Sequence, residues 1–134
     1  MTMICLKTPT DIVGASLLDN PIADALLKAL PVTSVVHRWG DEIYFDVPVR
    51  LPNFQPTRTV EVGDLAYWPD GPSLCIFFGR TPASRDEEPR PASDVTVIGH
   101  TDVSPALLRA IEGGTPIEVL PSEPAKSPRP ARGR

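Results

Sequence analysis

A chain of 134 residues has the length of one domain built on one hydrophobic core. Its 41% hydrophobic and 22% charged residues exclude a disordered or fibrous protein, and no run approaches the roughly 18 apolar residues of a membrane helix. The formal charge of −4 divides into +3 on Pro121–Arg134 and −7 on residues 1–120, so the body lacks the basic footprint of a nucleic-acid binder.

The 17 prolines are more than twice the usual share of about 5%. Proline has no N–H to give a ladder, so this count predicts many short elements rather than long helices. Lys7 and Asp11 stand where a secretion signal would have its apolar core, which points to a cytoplasmic protein. Cys5 and Cys75, each among apolar neighbours, read as free thiols of a reducing compartment.

In chain order, Met3–Lys7 and Asp11–Leu17 read as two strands around the turn Thr8-Pro9-Thr10. Asn20 then caps a helix with Pro21 in its first position, and Ile22, Leu26, Leu27 and Leu30 form its apolar stripe before Pro31 ends it. From Thr33 the period becomes two: Val35, His37 and Trp39 share one face of a strand, and Val36 and Arg38 the other. Gly40-Asp41 turns the chain into a strand carrying Ile43, Phe45 and Val47. Pro52 and Pro56 make Arg50–Thr59 a loop or edge. Leu65–Trp68, the turn Pro69–Pro72 and Ser73–Phe78 form the most apolar hairpin, which should lie across the core.

Arg80–Asp94 is polar and proline-rich, as an exposed loop would be, and Val95–His100 is a further strand. Ser104-Pro105 opens a second short helix with Leu107, Leu108 and Ile111 on one face, Gly113-Gly114 ends it, and Thr115–Leu120 is the last strand. Eight short strands and two short helices without strand–helix alternation predict a mainly β fold: a closed eight-stranded antiparallel barrel with the helices capping its ends. Residues 1–120 form this domain, and 121–134, with four prolines and four basic residues, read as a disordered tail.

No motif fixes a chemistry. His37 and His100 lack the spacing of a metal site, no G-x-S-x-G elbow frames a serine, and Gly113-Gly114 follows a helix instead of opening one. Asp41-Glu42 could serve acid/base work but also suits the solvated face of a turn. The aromatic residues Tyr67, Trp68, Phe77 and Phe78 read first as core, with alternation turning one of each pair outward toward a pocket or partner. No cofactor is expected.

Three segments together resemble the small cyclophilin-like proteins of bacteria and archaea: SVVHRWGDEIYFDVPV at Ser34–Val49, VEVGDLAYWPDGPSLCIFFGRTPAS at Val60–Ser84 and PASDVTVIG at Pro91–Gly99. That resemblance implies a closed eight-stranded barrel with helices at its ends, in a family often without an assigned function. Val36-His37-Arg38 is similar to the Phe-His-Arg tripeptide of true cyclophilins, whose arginine is catalytic in prolyl cis/trans isomerisation. By that likeness Arg38 is the catalytic position; rotation of a prolyl amide also asks for an apolar floor beside the donor, for which Tyr67, Trp68, Phe77 and Phe78 are the candidates. The Gln-Gly-Gly segment of cyclophilins is replaced here by Trp39-Gly-Asp-Glu42. The expected function is therefore binding of a small molecule, a proline-containing peptide or a protein partner near Arg38 and the hairpin 65–78. A prolyl isomerase using Arg38 is the alternative, and an accessory domain of carboxylase or hydrolase subunits a further one. No nucleic acid or membrane is expected as a partner, and oligomeric state is open.

Overall fold

The computed structural model describes residues 2–122, so most of the expected tail lies outside the described residues. Strands β1 (Thr2–Lys7) and β2 (Ile12–Leu17) form the opening hairpin, closed where Thr8 Oγ1 accepts the backbone N–H of Asp11 at 3.0 Å. Helix α1 (Pro21–Ala29) starts where Asn20 Oδ1 accepts from the N–H of Ala23 at 2.9 Å, and it buries Ile22, Ala23 and Leu26. The remaining elements are β3 (Val32–Val35), β4 (His37–Arg38), β5 (Glu42–Asp46), β6 (Asp64–Trp68), β7 (Ser73–Phe77), β8 (Thr96–His100), α2 (Pro105–Arg109) and β9 (Pro116–Pro121).

All nine strands join one antiparallel sheet in the order β3-β9-β1-β2-β8-β6-β7-β5-β4. The expected eight strands are nine because the segment after α1 changes partners midway. Val32–Val35 pairs with β9, His37–Arg38 pairs with β5, and Val36 between them bonds Thr115 and Gly114 instead. One bent segment thus supplies both ends of the sheet and brings the barrel nearly to closure, which leaves few free edges. The alternation read from the sequence holds through the bend: Val36 is fully buried while Val35 and His37 face outward.

The barrel interior is filled from every wall, by Ile4, Leu6, Val13, Leu17, Ile43, Phe45, Leu65, Tyr67, Leu74, Ile76, Ile98 and Val119 among others. Helix α1 covers the end where Val47, Leu74 and Ile98 meet Ile22 and Leu26. Leu108 of α2 and Ile111 just beyond it are buried in the same core, at the end where β7 gives way to Phe78. A second, smaller apolar cluster lies outside the barrel wall, from Val60, Ala66, Cys75, Phe77 and Val95 with Tyr44, Trp68 and Val97 packed on it. Strand alternation creates both, since residues one apart on β6 and β7 face opposite sides. Among the described residues, no helix is long and apolar enough to cross a membrane.

Candidate functional site

The period-two register separates the residues singled out in the sequence. On β7, Cys75 and Phe77 point outward and Leu74, Ile76 and then Phe78 inward; on β6, Tyr67 points inward and Trp68 outward. Tyr67 is a core residue whose hydroxyl donates to the carbonyl of Val49 at 2.8 Å and accepts the N–H of Leu51 at 3.1 Å, fixing the start of the 47–63 segment. Trp68 is half-buried, and its Nε1–H donates to Ser93 Oγ at 2.7 Å. Trp68 and Phe77 therefore belong to the outer cluster, Tyr67 and Phe78 to the barrel core.

Arg38 sits on the inner side with Phe78, away from that outer cluster. Its Nη1 donates to the carbonyls of Arg109 and Ile111, both at 3.0 Å, and its Nη2 to that of Gly40 at 3.1 Å. The guanidinium stands 5.4 Å from the centre of the Phe78 ring, and Arg109 approaches the same ring at 5.7 Å. Arg38 Nε is buried and has no hydrogen-bond partner. Arg109 reaches Asp41 Oδ2 at 3.1 Å, and the Asp41 main chain bonds Arg80 and Phe78 at 2.7 and 2.9 Å. Arg38, Asp41 and Arg109 thus fasten α2 and the β4–β5 turn over one barrel mouth. Gly79 is required there, because a Cβ at that position would fall 2.3 Å from Asp41 Oδ2.

On the outer face, β5 and β7 carry Glu42, Tyr44, Cys75 and Phe77, β6 adds Trp68, and Trp39 closes one side from the β4–β5 turn. Pro91, Ala92 and Val95 roof them, leaving a pocket of about 180 Å³. The roof is brought in by the expected exposed loop, which is knotted internally. Thr81 Oγ1 donates to the Arg90 carbonyl at 2.5 Å, Ser84 Oγ donates to the Glu88 carbonyl at 2.6 Å, and Glu88 accepts the N–H groups of Arg85 and Asp86. Pro89 and Pro91 are consequently buried, although the composition of the segment reads as solvent-exposed.

Glu42 is the unexpected member. It is only 5% exposed, and burial among apolar side chains pushes its carboxyl from 4.5 up to about 7, offset in part by the neighbouring Cys75 thiol. Burial, with the Glu42 charge beside it, holds that thiol well above its ordinary value, so Cys75 stays protonated and unreactive. The residues Asp41 and Glu42, adjacent in sequence, do different work: one ties two elements together, the other supplies the pocket's lone carboxyl. The sequence signal for this was available in part, since Glu42 falls on the same face as Tyr44 by alternation. What covers it comes from fifty residues further along.

His100 lies between two carboxylates, with Nδ1 3.2 Å from Asp64 Oδ1 and Nε2 3.1 Å from Asp102 Oδ1, on the surface. Among the described residues, no three His, Cys, Asp or Glu side chains are grouped as they would be to hold a metal ion. Cys5 and Cys75 are free thiols.

A barrel of this topology with two capping helices defines a class, and the cyclophilin-like family model matches residues 3–120. The chain belongs to the cyclophilin-like family. It is similar to the hypothetical protein AF2241 from Archaeoglobus fulgidus, known from a solution structure, with 34% identity over 90% of this chain and 95% of that one and a TM-score of 0.77. None of the curated proteins matches the chain.

Proposed function

We propose that this cyclophilin-like domain is a binding module whose ligand enters the outer pocket between Trp68, Phe77 and Glu42. The observation that supports the reading is the combination of an apolar, aromatic-walled recess with a single buried carboxyl that no basic side chain among the described residues neutralises. Sites of that composition hold a ligand by area and orient it by a few polar groups. A space of about 180 Å³ lies below the roughly 300–1,000 Å³ of pockets for drug-sized molecules, so it suits a small fragment or a single side chain. The wider cleft of 530 Å³ beside β3 is bordered by exposed residues such as Val35, His37 and Pro48 and offers no comparable enclosure. A cytoplasmic location fits the two free thiols.

The test is ligand-observed saturation-transfer NMR with small aromatic and aliphatic fragments of cationic, neutral and anionic kinds. Transfer to at least one fragment that Trp68→Ala abolishes and Trp68→Phe retains supports the reading. Transfer to none, or transfer indifferent to Trp68→Ala, ends it.

The isomerase alternative depends on Arg38, two of whose nitrogens are already committed to three main-chain carbonyls. To stabilise a twisted prolyl amide the guanidinium would have to present a free N–H beside an apolar floor. NMR exchange on a proline-containing peptide decides it: acceleration lost in Arg38→Ala would establish the activity, and no acceleration at high protein concentration would remove it.

A further inference from the structure

The pocket's lining is unbalanced in charge. Trp39, Tyr44, Trp68 and Phe77 present aromatic surface, Glu42 presents a carboxyl, and among the described residues no Lys, Arg or His lines the space. A carboxylate withdrawn from water without a cation or donors around it is costly, and the Cys75 thiol is a weak donor that offsets little of that cost. A protein that retains such a group inside an aromatic recess is complementary to something that brings the missing positive charge. Aromatic faces carry negative potential and attract ammonium groups, most strongly where water is excluded. Tyr44 and Trp68, both lining the pocket, stand edge-on to one another, with centroids 6.5 Å apart and planes at 76°. The charge of −7 on residues 1–120 acts in the same sense over longer range, drawing cations and repelling anions.

We infer that the outer pocket recognises an organic ammonium ion on a short apolar stem, its charge at the Glu42 carboxylate and its stem against Trp68 and Phe77. The inference rests on the pocket being the binding site and adds the chemical class of the ligand. An anion would meet Glu42 and the acidic body, and a neutral isostere would leave the carboxylate uncompensated. Free amines and lysyl side chains share this chemistry, and the experiment separates them.

Binding also acquires a pH dependence. Among the described residues that line the pocket with Glu42, the titratable groups are the Tyr44 phenol on its own strand and the Cys75 thiol on β7, which stays protonated; Trp39, Trp68, Phe77, Pro91, Ala92 and Val95 do not titrate. The amine requires the carboxylate, which is the minor form below about 7 and the major form above it. Affinity for the amine should therefore rise about tenfold from pH 6 to pH 8, as the competent fraction rises.

Calorimetric titration of the full-length protein with benzylamine, benzyl alcohol, benzoate and N-acetyl-lysine methylamide tests this. The inference predicts benzylamine at least tenfold tighter than benzyl alcohol at pH 8, no binding of benzoate, and loss of both the preference and the pH slope in Glu42→Gln. That variant matches the protonated carboxyl in shape, and the pH profile of the unsubstituted protein is a second, mutation-free readout. N-acetyl-lysine methylamide binding as tightly as benzylamine assigns the ligand to lysyl side chains, and weaker binding assigns it to free amines. Benzyl alcohol binding as well as benzylamine overturns the inference and leaves the pocket standing as a neutral site. Binding of none of the four, with no fragment detected by saturation transfer, overturns both.

Discussion

Glu42 shows how much a single side chain's meaning depends on what folds over it. In the native protein its carboxyl titrates at about 7, against 4.5 for an unburied one. Between those values the folded state binds more protons than the unfolded state, so stability falls as pH rises through the window and stays reduced above it. A shift of this size corresponds to about 3 kcal/mol. Glu42→Gln removes the dependence, so urea unfolding should find the variant more stable than the unsubstituted protein by roughly that amount at pH 8 relative to the difference at pH 4. Equal pH dependence in the two proteins would mean that Glu42 is solvated. Val36 and Arg38 against Val35, His37 and Trp39 were separable by alternation alone, and so were the inner and outer members of Tyr67-Trp68 and Phe77-Phe78. The burial of Glu42 was not, because Asp41-Glu42 has the composition of a hydrated turn and its roof comes from Pro91–Val95.

At the scale of elements, the two departures from expectation share a cause in long-range contacts. The strand after α1 divides at Val36 because β9 and β5 each claim half of it, and nothing in its local sequence marks where one partner ends. The 80–94 loop reads as exposed because its residues are polar, yet those polar groups bond one another: Thr81 to Arg90 and Ser84 to Glu88. A loop whose hydrogen bonds are internal can lay its prolines on an apolar face at little desolvation cost. Thr81→Val keeps the shape and deletes the hydroxyl, and should cost about 1–2 kcal/mol of stability. It should also weaken any ligand of the outer pocket several-fold by freeing the roof, which titration of the variant would measure. Unchanged affinity would show that Pro91 and Ala92 do not contribute to the site. The hairpin Leu65–Phe78, by contrast, was legible as the central apolar pair, since its alternation and its turn residues agree.

For the whole molecule, the barrel provides two distinct apolar regions from one set of strands: an interior closed by α1 and α2, and an outer recess closed by a loop. Arg38, Asp41 and Arg109 hold one mouth of the first, while Trp68, Phe77 and Glu42 line the second. The three segments that carried the sequence resemblance build, in the structure, the β4–β5 turn, the central hairpin and the roofing loop. The sequence motifs and the candidate site are thus largely the same residues.

The most direct measurement is a backbone and indole chemical-shift map of the protein titrated with benzylamine at pH 8. The account predicts shifts concentrated at Glu42, Tyr44, the Trp68 indole N–H, Cys75, Phe77 and residues 91–95. Shifts concentrated instead at Arg38, Phe78 and residues 109–113 would place the ligand at the barrel mouth and contradict it.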